Sequence, residues 1–399
     1  MKNRTRLFNV EYAGVQGFYA AVSAVVSGYA SAFLLSRGCS NREMGFILAA
    51  GTVAALLLQP LAADLTDRSR RFSALHVLLA LGGVMGAALL LLGTVREGGA
   101  ALAVTYIALL CALMLAQPFC NSLSAYLQLR GAAINIGAAR GTGSLCYAVF
   151  AAALGLAVGR TSVNILPFAA FAVNALFLAV VAAILIQCRG TEVRLPAGAG
   201  KSRGLGRFLR DDPRFLLLMA GVALAYLPHM LYSNFLIRVV MRAGGGDGDL
   251  GLLGGWCALT ELPAMFLFNR LLRRFRSGTL LCFSALMFAC KQLAVCLADT
   301  MPLLFAAQLL EGISYALFIP ATVRYMEENV PYEDAVKGQT LITAMLSLAS
   351  VVASLLGGVL LDAIGLQKTL LASVFVALAG FGLLVPAVCL KKRAVRQKS

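Results

Sequence analysis

The chain has 399 residues, of which 60% are apolar and 13% charged, with a formal net charge of +16. A soluble domain carries charge on about a quarter of its residues, so the composition excludes a soluble fold of this size. Apolar segments of about twenty residues recur, and a helix of that length crosses the hydrocarbon core of a bilayer. Transmembrane β-strands would alternate polar and apolar residues. The apolar segments here show no such alternation, which predicts an all-α membrane protein.

Twelve transmembrane helices are predicted in chain order. They cover residues 9–35, 43–65, 73–95, 100–127, 141–159, 164–187, 215–240, 250–270, 278–298, 302–326, 338–362 and 368–390. The connections are short except for residues 188–213, which are basic and rich in glycine. We interpret this segment as a cytoplasmic linker between an N-terminal six-helix half (1–187) and a C-terminal six-helix half (214–399). A repeat of six spans is typical of many secondary transporters.

The distribution of lysine and arginine predicts the orientation. Of the 34 basic residues, 26 lie on the side of the termini and the linker. Loops rich in lysine and arginine face the cytoplasm, so we expect a multi-pass protein of the cell (inner) membrane with both termini cytoplasmic. The same bias accounts for the positive net charge without a nucleic-acid partner. The first apolar run is too long for a cleavable signal peptide, and we interpret it as a retained helix.

The segment after the second span reads QPLAADLTDRSRRF. It resembles the signature of the major facilitator superfamily, in which a glycine-rich helix end is followed by Asp-Arg and then by glycine and basic residues. Asp67, Arg68 and Arg71 fit this pattern, whereas Ala63 and Arg70 replace two of its glycines. An aspartate there can pair with an arginine across a cytoplasmic seam between helices, which predicts a gating role for the three matching residues. The alternative is a solvated loop without a gating role, whose basic residues only reflect the excess of lysine and arginine in cytoplasmic loops.

Further stretches resemble the lactose permease and related oligosaccharide–proton symporters. IGAARGTGSLCY resembles the start of the fifth helix there and places Arg140 on a substrate-binding arginine. ALTELPAMFLFNRLLRRF resembles the eighth helix and places Glu261 on a membrane-embedded glutamate. Lys291 falls within a residue of a buried arginine, and Glu311 stands where the permease has a histidine. The permease also has an acidic residue in its fourth helix that pairs with the arginine matched by Arg140; here that acid is absent, and Asn121 or Ser122 occupies the area. The resemblance implies the major facilitator fold and proton-coupled transport.

Glu261, Lys291 and Glu311 are also conspicuous by position, because each lies inside an apolar span. A charge at the bilayer centre costs about 2.5–3.5 kcal/mol, so we expect these side chains to face the bundle interior and to have partners. Burial favours a neutral carboxyl, whereas a nearby lysine favours the charged form. A glutamate that moves between these influences can load and release a proton. The alternatives are a static ion pair and direct contact with the substrate.

Polar residues at helical spacing predict the lining of a central cavity, with helix packing as the alternative. The predicted substrate-binding residues are Gln16, Tyr19, Asn121, Arg140, Tyr147 and Asn234. His229 in the seventh span is a further candidate proton carrier, although a lone histidine in a helix is more often a hydrogen-bonded core residue.

The predicted function is secondary active transport of a small polar organic solute, such as a sugar or a nucleoside, by proton-coupled alternating access. No hydrolase, metalloprotease or Walker motif occurs in the sequence, so we expect neither enzyme activity nor a cofactor or metal. The expected partners are the solute, protons and the lipid bilayer, and we expect a monomer. Two alternatives stay open: a proton-driven exporter of drugs or metabolites with the same fold, and a non-transporting membrane sensor.

Overall fold

A computed structural model of the chain describes residues 2–68, 73–188, 213–329 and 335–389. Regular structure within these residues is entirely helical. Helices α1 to α7 of the N-terminal half span Lys2–Ser23, Ala30–Ser36, Asn41–Arg68, Ala74–Thr94, Ala100–Gln128, Ile136–Arg160 and Leu166–Gln187. Helices α8 to α15 of the C-terminal half span Pro213–Asn234, Leu236–Arg242, Asp247–Leu272, Ser277–Leu297, Met301–Ala307, Tyr315–Asn329, Ala335–Ile364 and Leu366–Cys389.

Eleven segments of the described chain are long and apolar enough to cross a membrane, and α1 with α2 forms a twelfth if the bent pair is one span. The prediction of an all-α protein with about twelve spans is therefore confirmed. The division into two halves at 188–213 stays a prediction, because residues 189–212 lie outside the described part of the chain.

Three of the predicted spans are interrupted rather than continuous. In the first, a π-helical turn at Ala24–Gly28 separates α1 from α2, and the axis bends by 47°. In the seventh, α8 and α9 meet at a break at Phe235. In the tenth, a 3₁₀ turn at Gln308–Glu311 separates α12 from α13. Such departures from α-helical hydrogen bonding often occur at functional sites, and the third break carries one of the predicted charged residues.

The two halves touch at one end of the bundle, here called the closed end. This end carries the short connections at residues 37–40, 95–99, 161–162, 243–246, 298–300 and 365. One apolar core is continuous across it, since buried residues of the N-terminal half pack with Phe235, Val240 and Leu361 of the C-terminal half. A second core, which includes Phe288 and Phe318, lies within the C-terminal half.

Glycines make the seam between α6 and α10 at the closed end. A Cβ added to Gly248 would lie 2.8 Å from the Gly155 carbonyl oxygen, and one added to Gly255 would lie 2.8 Å from the Ala148 carbonyl oxygen. Backbones can approach this closely only where side chains are absent. Gly141 lies two turns from Ala148 on the same face of α6, yet a Cβ there would meet nothing within 4 Å. The two helices therefore diverge away from the closed end, and we call the space between them there the cleft.

A group of polar residues joins the halves at the same end, between α3, α9 and α14. Asn41 Nδ2 donates to Asp362 Oδ1 at 2.7 Å, and the Arg42 backbone N–H donates to Asp362 Oδ2 at 3.2 Å. Arg238 Nε donates to Asn41 Oδ1 at 2.9 Å. We call these four residues the polar clasp. It connects residues that are 321 positions apart in the sequence.

Candidate functional site

A buried ion pair forms the centre of the site. Lys291 on α11 is 1% exposed, Glu311 on the 3₁₀ turn is 4% exposed, and the Lys291 ammonium donates to Glu311 Oε2. The same ammonium lies 4.7 Å from the centroid of the Tyr232 ring, which attracts a cation through its π-electrons. A buried charge needs such partners, because leaving one unpaired typically costs about 3–5 kcal/mol. The two charges thus stabilise each other inside the C-terminal half.

Glu261 on α10 is the second carboxylate of the site, and it stands apart from this pair. It is half-buried and forms no hydrogen bond or ion pair with any side chain in the described part of the chain. It is nevertheless close enough to interact electrostatically with both Glu311 and Lys291. The cluster therefore contains two carboxylates and one ammonium group, and the Glu261 carboxylate has no ion-pair partner in the described part of the chain.

The local sequence explains why α10 comes so close to the turn that carries Glu311. Gly312 follows Glu311, and a Cβ there would lie 2.5 Å from the Thr260 carbonyl oxygen. The Thr260 hydroxyl donates to the Cys257 carbonyl oxygen at 2.7 Å and lies 3.3 Å from the Gln308 carbonyl oxygen. The absence of a side chain at 312 lets α10 pack directly on the broken span. Glu261, one residue after Thr260, is placed beside the ion pair as a result.

Tyrosines surround the free carboxylate. Tyr147 on α6, Tyr226 on α8 and Tyr315 on α13 each interact electrostatically with Glu261. All three are half-buried. Tyr147 belongs to the N-terminal half and the other two to the C-terminal half, so groups from both halves lie near this carboxylate.

Three of the predicted substrate-binding residues are engaged in contacts between helices of their own half. Gln16 is buried and its amide donates to the Tyr12 hydroxyl at 3.1 Å and to the Cys120 carbonyl oxygen at 3.2 Å. The Tyr19 hydroxyl donates to the Leu113 carbonyl oxygen at 3.1 Å. Asn234 Nδ2 donates to the Ser354 hydroxyl at 2.8 Å.

Of the other three predicted residues, Tyr147 is half-buried and two are exposed. Arg140 and Asn121 are exposed, and neither side chain has a hydrogen bond or ion pair within the described part of the chain. Arg140 lies next to Gly141 on α6, beyond the part of that helix that packs on α10. Both exposed residues therefore stay predicted substrate-binding residues.

The predicted gate is at the end of α3 and in the segment that follows it. Asp67 and Arg68 are the last residues of α3, but their side chains are not among those described. Arg71 lies outside the described residues. The gating role of these three residues therefore stays a prediction.

Two features were not predicted from the sequence. The polar clasp was missed because nothing in the sequence pairs Asn41 with Asp362. The environment of His229 was missed because the sequence shows only a lone histidine in an apolar span. In the structure its Nδ1 lies 3.7 Å from Glu311 Oε1, so it belongs to the charged cluster. The signal available was its position one turn after Tyr226, on the same helix face.

Comparison with known proteins identifies the family. The sequence profile of the MFS_1 like family matches residues 11–372. The chain belongs to this family. A maltose permease from Geobacillus stearothermophilus is 29% identical over 332 residues, which is 81% of this chain and 80% of that protein. A putative sugar efflux transporter from Deinococcus radiodurans is 29% identical over 161 residues, or 39% of this chain and 40% of the relative.

Solved structures of other transporters share the fold over nearly all of the chain. The crystal structure of the nucleoside transporter NupG is similar with a TM-score of 0.80 at 12% identity, over 96% of this chain and 100% of that one. A crystal structure of the peptide transporter POT is similar with a TM-score of 0.72 at 13% identity, over 96% and 93%. At this identity the likeness shows the fold alone. The predicted major facilitator fold is confirmed, and the named relatives are transporters rather than enzymes.

Proposed function

We propose that this MFS_1 like protein is a proton-coupled transporter that moves a small polar organic solute, of the sugar class, by alternating access. The observation that carries the proposal is the buried Lys291–Glu311 pair with the unpaired carboxylate of Glu261 beside it, near the point where the two halves separate. A static structural pair would need only one acid. The additional acid gives the cluster a place to bind a proton.

Charge balance links the proton to the conformational change. With both acids ionised, the cluster of Glu261, Lys291 and Glu311 carries one net negative charge. One proton on Glu261 makes it neutral. A net charge is costly to enclose in a low-dielectric interior, so the neutral cluster is the one that can be shut away from water while the halves rearrange. We propose that Glu261 binds the proton on one side of the membrane and releases it on the other.

The substrate class is supported by relatives and by the side chains in the cleft. The maltose permease and the putative sugar efflux transporter are both named for sugars, whereas the nucleoside transporter shares only the fold. A sugar offers many hydroxyl groups and one apolar ring face, which suit a few polar groups beside an aromatic ring. Arg140 and Asn121 would bind the hydroxyl groups, and Tyr147 would pack on the ring.

Alternating access is supported by the seam at the closed end. Its glycines pack backbone on backbone, so the seam can separate without withdrawing interlocked side chains. If both termini are cytoplasmic, as the basic residues predict, the closed end faces outward and the cleft opens to the cytoplasm. Asp67 and Arg68 are the last residues of α3, at the opposite end of the bundle, and we propose that they and Arg71 hold that end closed in the other state.

A binding screen followed by a flux assay tests the proposal. Purified protein is heated with sugars, nucleosides and carboxylates, and a ligand present at 100 times its Kd should raise the unfolding free energy by about 2.7 kcal/mol. We expect a sugar to stabilise the protein and to exchange across proteoliposomes, and Arg140→Ala to abolish both effects. Stabilisation and exchange by nucleosides or carboxylates, with none by sugars, would contradict the proposed class. Substrate-dependent flux that ignores a pH gradient would contradict proton coupling.

A further inference from the structure

His229 is the one group of the charged cluster to which the proposed mechanism gives no task. It lies on α8 directly after Pro228, and its side chain is buried. Its Nδ1 lies 3.7 Å from Glu311 Oε1, while Lys291 occupies the other oxygen of the same carboxylate. This nitrogen is buried and has no hydrogen-bond partner within the described part of the chain. A histidine that only filled space would not need a nitrogen directed at a carboxylate.

Aromatic rings fix the orientation of the imidazole. The ring stacks on Tyr315 with 4.6 Å between centroids and 15° between planes, and Phe288 lies 5.4 Å away on α11. Tyr226, on its own helix, lies 5.6 Å away. Rotation of the ring away from Glu311 would break these contacts. The packing therefore holds Nδ1 toward the carboxylate.

The groups around His229 also connect it to the free carboxylate. The ionisable groups that interact with it are Glu311 on the 3₁₀ turn and Lys291 on α11. The tyrosines in contact with its ring are Tyr315, which is stacked on it, and Tyr226, which is tilted against it. Those same two tyrosines interact electrostatically with Glu261. The imidazole is therefore near the buried ion pair and also in contact with Tyr226 and Tyr315, two of the tyrosines near Glu261.

We propose that His229 is a second proton-binding residue of this transporter, which takes up the proton that Glu261 releases and holds it against Glu311. This inference rests on the proposed proton coupling and adds a residue and a step to it. As Glu261 loses its proton, the hydroxyl groups of Tyr226 and Tyr315, which interact with Glu261 and belong to rings that contact the imidazole, each gain one proton and give up another, and the lone pair on Nδ1 of the neutral ring bonds to the proton passed on. The resulting imidazolium N–H donates to Glu311 Oε1. Glu261 becomes negative and His229 positive, so the net charge of the cluster is unchanged.

The step divides one difficult transfer into two. Moving a proton directly from Glu261 to water would leave the cluster with a net negative charge while the halves still enclose it. A proton on His229 keeps the cluster neutral, because Glu311 then lies between two cations and Glu261 is ionised. The proton can leave for water once the cleft has opened, and Nδ1 regains its lone pair. Histidine suits this task because its free side chain titrates near neutral pH.

Two substitutions separate proton binding from packing. His229→Asn keeps a small polar group near the position of Nδ1 but cannot bind a proton, and His229→Phe keeps the aromatic stack but has no nitrogen. The chain has two histidines, and His76→Asn is the matched control, since His76 lies in the capping turn of α4 and far from the cluster in sequence. Each protein is reconstituted, and two rates are measured with a labelled sugar that the binding screen has identified: equilibrium exchange and accumulation driven by a pH gradient.

We expect both His229 variants to exchange sugar within about twofold of the unmodified protein and to accumulate it at least tenfold less, while His76→Asn does both normally. The dependence of downhill efflux on pH should also flatten in the two variants. Full accumulation by either variant would overturn the proposal and leave His229 a packing residue. Loss of exchange in His229→Asn with sugar binding intact would also overturn it, because the residue would then be needed for the movement of the halves. If the unmodified protein shows no proton-driven accumulation, the proposed coupling fails and this inference falls with it.

Discussion

The contribution of the polar clasp to the closed end can be tested at one residue. Asp362 accepts two of the three hydrogen bonds of the clasp. Replacing Asp362 with alanine removes the acceptor for the Asn41 amide at 2.7 Å and for the Arg42 backbone N–H at 3.2 Å. It also removes the partner of the Arg42 guanidinium at 3.8 Å. The helix itself should tolerate the change, because alanine is the best helix former.

The magnitude follows from the exposure of the groups. A protected hydrogen bond to a charged group contributes about 1.5–3 kcal/mol, but an ion pair at the surface contributes about 0–1 kcal/mol. The Asp362 side chain is 27% exposed and that of Arg42 is 63% exposed, so we assign the clasp about 1.5 kcal/mol in total, at the low end of the range for one protected bond. That corresponds to a shift of roughly tenfold between the closed and separated states. A separated state populated at about 5% would rise to about 35%.

Electron–electron distance measurements on spin-labelled protein would report the shift. Labels are attached through Ser36→Cys and Lys368→Cys, which place one on each half at the closed end, after replacement of the ten native cysteines. We expect Asp362→Ala to increase the population at the longer distance. Glu43→Ala is the matched control, because Glu43 is on the same helix as the clasp but bonds only Ser40 within its own half. An unchanged distribution in Asp362→Ala, or an equal change in Glu43→Ala, would refute the reasoning.

Three further predictions concern the gates and the orientation. Gly251→Leu should prevent closure, because a side chain there meets Tyr29 and the Ala151 backbone; it should still bind sugar but lose exchange, and normal exchange would contradict the seam. Asp67→Asn should slow exchange more than it weakens binding, because it removes a pairing made in only one access state. An unchanged rate would mean that the loop has no gating role and only contributes basic residues to the cytoplasmic side. Reporter fusions at Ser202 and Ser399 should both give a cytoplasmic signal, and an extracytoplasmic signal at either would reject the orientation.

The sequence predicts the transmembrane helices well because apolar length is a local property. The spans around Ala74–Thr94 and Ser277–Leu297, for example, are each within one residue of the prediction. The breaks at Gly28, Phe235 and Glu311 were not predicted. An apolar run looks the same whether it is straight or interrupted, and tertiary contacts such as the approach of α10 to Gly312 decide which it is.

For the charged residues too, the sequence predicts a general requirement, and the tertiary structure decides how it is met. That Lys291 and Glu311 need partners follows from the cost of burying a charge. That they partner each other, and that Glu261 is left without an ion pair, depends on the packing of α10, α11 and the 3₁₀ turn. Likewise, Gln16 was predicted from its polarity to line the cavity, but its amide donates to the Tyr12 hydroxyl on its own helix and to the Cys120 carbonyl oxygen on α5. Helical spacing identifies a polar face and leaves open which neighbour that face meets.

The central claim is that Glu261 carries the proton, and Glu261→Gln tests it most directly. Glutamine keeps the shape and hydrogen-bonding capacity of a protonated glutamate but cannot release a proton. The variant leaves the Lys291–Glu311 pair in place, so the protein should fold. In proteoliposomes we predict sugar exchange at a rate within about twofold of the unmodified protein, with accumulation against a gradient reduced at least tenfold. A folded Glu261→Gln protein that accumulates sugar fully in response to a pH gradient would contradict the account.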